Sequence, residues 1–162
     1  MTANDLLKTT SNHIISKIQN HQGLNQFAIE RSKFEGWLKV ELIEALCLNN
    51  FNAKPEIERI DITFENTAIE LKTINTNYRF SEIINKTRPI TKNIHGIIKD
   101  IIDLQGKDFK NKFVIFIVFP IQKEQPEWNL HISKVEENLT ELVFKEFKFN
   151  NGSPGMIYYG KV

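Results

Sequence analysis

The stretch IDITFENTAIELK, residues 60–72, decides how the chain reads. It begins inside ERIDITF (58–64), where Ile60, Ile62 and Phe64 alternate with Arg59, Asp61 and Thr63. It ends inside AIELKT (68–73), where Ile69 and Leu71 alternate with Glu70 and Lys72. Alternation with period two marks a half-buried strand. Glu65, Asn66 and Thr67 between the two runs fit a short hairpin turn. Glu70 and Lys72 therefore share one face of their strand. Hairpin pairing can bring Asp61 to that face as well, but register decides, because a slip of one residue reverses it.

Two carboxylates and a lysine in one place suit phosphodiester chemistry. The carboxylates are hard oxygen donors for Mg²⁺ or Mn²⁺. Such an ion neutralises phosphate charge and lowers the pKa of a bound water. A neighbouring lysine can orient that water and stabilise developing charge. With no cation, the two carboxylates repel, and at least one pKa rises. The plainer reading of the same residues is a solvated charge pair on an exposed sheet face.

Upstream, a helix is expected from about Asn25 to Leu48, closed by Asn49, Asn50 and Pro55. On a helical wheel Phe34, Leu38, Ala45 and Leu48 form an apolar stripe, with Trp37 and Leu42 at its edges. Glu41 falls inside that stripe, where a carboxylate is costly unless it is paired or holds a metal. It is expected to point toward the sheet. Glu35 and Glu44 lie nearer the margins, and which of Glu41 and Glu35 serves the site stays open. The alternative for Glu41 is a pairing with a lysine.

Further out, residues 10–20 fit a short helix with Ile14, Ile15 and Ile18 on one side. TKNIHGIIKDIIDL (91–104) fits a second long helix, with Gly106 beyond its end. KFVIFIVFP (112–120) is an unbroken apolar run, expected as a central strand closed by Pro120. A short helix within 128–139 precedes LVFKEFKF (142–149) and MIYYGKV (156–162), which can pair across Asn151–Gly155. This order predicts an α/β (α+β-like) fold: a central mixed β-sheet flanked by helices. One domain over 1–162 is expected, with a helical segment to about residue 24 and the core from about 25 onward.

Composition narrows the class. The chain has 162 residues and a formal net charge of +1, so charge placement rather than total charge must carry any nucleic-acid argument. The single cysteine, Cys47, leaves no intramolecular disulfide and no multi-cysteine zinc site. The N-terminus is too polar for a signal peptide, and the longest apolar run, 113–121, is too short to span a bilayer. A cytoplasmic protein with no membrane partner is expected. His13, His21, His95 and His131 are scattered without zinc-hydrolase spacing, and no glycine-rich phosphate loop occurs.

The order of these features resembles the PD-(D/E)XK superfamily of restriction-endonuclease-like proteins. The matching text is EGWLKVELIEAL (35–46) followed by IDITFENTAIELK (60–72), within roughly residues 30–120. Ile60 stands where the motif's name has proline. The resemblance implies a restriction-endonuclease-like core and a Mg²⁺-dependent nuclease cleaving DNA, less often RNA, in restriction, repair or defence. It implies Asp61 as main metal ligand, Glu70 as second ligand, the Leu71 backbone carbonyl as a further donor, Lys72 as catalytic lysine, and Glu41 as the helix-borne carboxylate. Double-strand cleavage by so small a domain would call for a homodimer or a partner subunit. The competing class is a non-catalytic nucleic-acid-binding or assembly module on the same fold.

Beyond Lys72 the chain turns basic. Arg79, Lys86, Arg88, Lys92 and Lys99 face one acid, Glu82, with Tyr78 and Phe80 interleaved. Arg79 and Arg88 are the preferred phosphate contacts, with Tyr78, Lys86 and Lys92 beside them. The alternative is a polar loop and a solvated helix face.

Overall fold

The computed structural model describes residues 1–80 and 90–162. Its strands are β1 (Lys54–Ile57), β2 (Ile60–Phe64), β3 (Thr67–Asn75), β4 (Asn111–Phe119), β5 (Glu141–Lys148) and β6 (Pro154–Lys161). They form one mixed sheet in the order β1-β2-β3-β4-β6-β5. Only β3 and β4 run parallel; every other neighbouring pair is antiparallel. The parallel pair needs a crossover, and α4 (Ile90–Gln105) lies in that connection. β4 lies inside the sheet with Phe113 through Phe119 all buried, as its unbroken apolar run predicts.

Helices cover both faces. On one side α1 (Ala3–Asn20), α2 (Gln22–Ile29) and α3 (Glu35–Leu48) pack Leu6, Ile14, Leu38 and Leu42 against Ile69, Leu71 and Ile115. On the other, α4 and α5 (Pro126–Glu136) pack Ile94, Ile97, Ile101 and Trp128 against Ile74, Val114 and Phe116. The mixed sheet flanked by helices is therefore present. No helix among the described residues is long and apolar enough to cross a membrane.

Three elements differ from expectation. The helix expected over 10–20 starts at Ala3, where Thr2 and Asp5 form a reciprocal capping box. The helix expected over 25–48 is two helices, parted at Arg31, whose φ is +50°. Arg31 is buried and donates to the Thr76 carbonyl and, at 2.6 Å, to the Tyr78 carbonyl. Its guanidinium thus satisfies backbone just past the end of β3, a long-range role invisible to local propensity. The strand expected over 58–64 starts at Ile60: Ile57 pairs with Ile60, and Glu58 and Arg59 form the two-residue turn before it, at φ +54° and +64°. Left-handed backbone costs a non-glycine residue about 1–2 kcal/mol, and this turn pays it twice.

Candidate active site

Asp61 lies where two ladders are interrupted. The β2–β3 pairing ends at Ile62 opposite Ile69, and the β1–β2 pairing passes from Pro55–Ile62 to Ile57–Ile60 without an Asp61 pair. Glu56, across from Asp61 in that register, has a left-handed φ of +56°. β3 continues to Asn75 past the start of β2, so its outer backbone groups need other partners. Two carboxylates supply them. Asp61 Oδ2 accepts the Leu71 N–H at 2.8 Å, and Glu35 Oε2 accepts the Thr73 N–H at 3.0 Å. Amide and carbonyl of one strand residue point to the same side, so the Leu71 carbonyl also lies on the Asp61 side of β3.

Glu70 and Lys72 sit on the α4 face of β3. Glu70 is half-buried, and its carboxyl is pushed up to about 8 by that burial, by the charge of Asp61 and by a hydrogen bond shared with Asp61. Nearby Asp100 adds to the rise and Lys72 opposes it. Glu70 thus stands beside Asp61 with too little positive charge around it to ionise in its ordinary range. Lys72 Nζ touches Asp100 Oδ2 of α4 at 2.6 Å, without the angle of a well-aligned hydrogen bond. Burial opposes the Lys72 charge, but contact with Asp100 and the fields of Glu35 and Asp61 outweigh it and raise its pKa. Gly96 of α4 leaves the space over which the Lys72 stem lies; a Cβ there would stand 3.7 Å from Lys72 Cε.

A second lysine closes the other side. Lys39, one turn along α3 from Glu35, lies 2.6 Å from Asp61 Oδ1 and also pairs with Glu56. Glu35 and Lys39 thereby project from α3 toward the opening between β2 and β3. Beside it is a cleft of about 400 Å³ lined by Arg59, Glu70, Asp100, Asp103, Leu104 and Lys107. A larger cavity, about 590 Å³, lies elsewhere, between Gln19, the 121–124 segment and the β5–β6 strands, and contains none of these groups.

No family model, no curated protein and no solved structure matches the chain.

The structure brings together Asp61, Glu70, Lys72 and the Leu71 backbone, and it adds Glu35, Lys39 and Asp100. It does not bring Glu41. That carboxylate faces α1, 3.1 Å from His13 Nε2 and 3.7 Å from Lys17 Nζ, with Glu44 in the same cluster. The expected apolar stripe of α3 was misplaced: Leu38, Leu42, Ala45 and Leu46 are buried, while Leu48 is 67% exposed. At about 100° per residue, the true buried face is turned by roughly 60° from the expected one. That rotation moves Glu41 to the α1 flank and brings Glu35 to the sheet. Replacing Glu35 with alanine is accordingly expected to lower any cleavage activity at least tenfold. Glu41→Ala is expected to leave activity intact and to cost about 1 kcal/mol or less of stability, the worth of a partly exposed ion pair. Parallel assays and thermal melts of the two variants check this.

The expected nucleic-acid contacts fare unevenly. Arg79 and Lys92 are exposed. Tyr78 is half-buried and packs against the α4-side core, with its hydroxyl buried and unpartnered among the described residues. Lys86 and Arg88 lie outside the described residues. His95 is exposed on α4 and makes no hydrogen bond or ion pair among the described residues. Asp100 and Lys39 were missed by sequence reasoning because nothing local marks either; only the α4 crossover and the orientation of α3 place them.

Proposed function

We propose that the chain is a divalent-cation-dependent nuclease of the PD-(D/E)XK kind that hydrolyses DNA phosphodiester bonds. The observation that carries this reading is the parting of β2 from β3 at Asp61 and Leu71. It collects two carboxylates, a backbone carbonyl and Lys72 at one opening. The donor set fits Mg²⁺ or Mn²⁺: it is all oxygen, and the elevated Glu70 shows a site short of positive charge. Asp61, Glu70 and the Leu71 carbonyl would hold the ion, which supplies Lewis acidity toward a phosphate oxygen and acidifies a water.

The chain's own groups do the rest. Lys72, kept charged by Asp100, offers an ammonium to the charge that grows on the phosphate. Glu35 fixes the free edge of β3 at Thr73 and so fixes Glu70 and Lys72 in orientation. Lys39 neutralises Asp61, and Glu56 is the partner it would retain with a cation bound at Asp61. The same lysine favours a second reading, a non-catalytic binding module on this fold, because Asp61 and Lys72 each already possess a protein counter-charge.

Cleavage of supercoiled, linear, branched and single-stranded DNA with Mg²⁺ or Mn²⁺ separates the two readings. Wild type is expected to cut at least one substrate, and Asp61→Ala to cut none. Absence of cleavage together with absence of Mn²⁺ binding by calorimetry would leave the binding module.

A further inference from the structure

The Glu58–Arg59 turn stands at the lip of the cleft that contains Glu70. Both residues occupy the left-handed conformation of a type I′ turn, at φ +54° and +64°, a place that Asn-Gly fills without strain. The strained turn is also braced. Lys107, just past the end of α4, donates from Nζ to the Glu58 carbonyl at 3.1 Å. Arg59 is exposed and has no hydrogen-bonding or ion-pair partner among the described residues. Strain that a fold both keeps and braces is characteristic of positions held for a ligand. Of the two basic residues lining the cleft, Lys107 is committed to the turn, which leaves Arg59 as the one with its donors unused.

We propose that Arg59 is a phosphate-binding residue. It takes a backbone phosphate next to the scissile one, on the nucleic-acid strand whose scissile phosphate lies at Asp61, Glu70 and Lys72. The inference rests on the nuclease reading, since that reading puts a strand in the cleft. The guanidinium's planar fork matches two phosphate oxygens at once. Lys107 is a positioning residue: its bond to Glu58 keeps Arg59 over the cleft. The cleft volume, about 400 Å³, is within the range of a small-ligand site and so admits one nucleotide unit.

The test is fluorescence anisotropy with a labelled oligonucleotide duplex and its single strand, in Ca²⁺ and in chelator, across a salt series. Arg59→Gly is expected to weaken binding about tenfold and to reduce the slope of log affinity against log salt by about 1. It is expected at the same time to raise Tm by about 2–4 °C, because glycine relieves the turn. Opposite movements of affinity and Tm cannot come from damage to the fold. Arg59→Lys should restore the salt slope and only part of the affinity. If Arg59→Gly binds like wild type while wild type cleaves and Asp61→Ala does not, the Arg59 assignment fails and the nuclease reading stands. If Arg59→Gly binds weakly but wild type cleaves nothing and takes up no Mn²⁺, the nuclease reading fails and Arg59 stands only as a backbone-phosphate contact of a binding module. A wild type that binds neither probe overturns both.

Discussion

Lys72→Met is expected to reduce DNA cleavage by a factor of about 10²–10³ or more, the usual cost of removing one preorganised stabiliser of transition-state charge. Its effect on the fold should be smaller and of a particular kind. Methionine keeps the stem that lies over Gly96 but leaves Asp100 with a buried oxygen and no counter-charge. An orphaned, partly buried carboxylate is destabilising. Asp100→Asn in the same chain removes that charge, so the double variant should regain stability over Lys72→Met alone. It should regain no activity. Asp100→Asn by itself should retain part of the cleavage and shift its pH profile, because the neighbour that keeps Lys72 protonated has lost its charge. A double-mutant cycle read by thermal melts and by initial cleavage rates tests the whole set. Lys72→Met with wild-type cleavage would remove the lysine from the mechanism.

The second large effect is a stability that falls as pH rises in the cation-free protein. The Glu70 carboxyl is raised to about 8 in the fold from an ordinary value of 4.5. Below 4.5 both folded and unfolded chains carry its proton, and the shift costs nothing. Between 4.5 and 8 the unfolded chain has released the proton while the folded one retains it, so each step up in pH favours unfolding. Above 8 the full cost is present and the slope ends. The loss is of the order of a few kcal/mol, which for a chain of this size lowers Tm by about 10 °C. Thermal melts in chelator from pH 5 to 8.5 should show this decline. Glu70→Gln should flatten it and be the more stable protein at pH 8. Mg²⁺ or Mn²⁺ at pH 7.5 should raise Tm of the wild type only, with about one proton released per ion bound, since Glu70 would have to give up its proton to serve as a ligand. A Tm independent of pH across that window, or metal uptake without proton release, would contradict the crowded carboxylate pair.

How far the residues alone foretold this molecule varied with the range of the forces involved. β3, β4 and α4 were legible because their burial follows local periodicity: Ile69 and Leu71 alternate, 113–119 is continuously apolar, and Ile94, Ile97 and Ile101 recur at helical spacing. The pairing of 142–149 with 156–162 was legible from the alternation of 142–149 and the turn-rich segment that separates the two runs. Two misreadings share one cause, a distant partner overriding a local preference. Arg31 breaks a helix to reach the carbonyls of Thr76 and Tyr78. Lys107 braces a turn that Glu58 and Arg59 would not choose. The Glu41 expectation failed more subtly, since Leu48 resembles core and is not. An error of roughly 60° about the helix axis was enough to exchange it for Glu35. Asp61, Glu70 and Lys72 were visible because one hairpin carries all three, whereas Asp100 depends on the crossover.

The margin formed by β1 has a bearing on colloidal behaviour. Outer strands of open sheets offer unpaired amides on which another chain can build. Here the outer strand is four residues long and exposed throughout. Pro55 removes one amide from it, Lys54 and Glu56 add charge, and the left-handed Glu56 bends the line of the strand. The irregularity that frees Asp61 from its ladder thus also makes this side a poor template for strand addition. Self-association by sheet extension is disfavoured there, and concentrated solutions should resist fibril growth from that margin as long as Pro55 and Glu56 are kept.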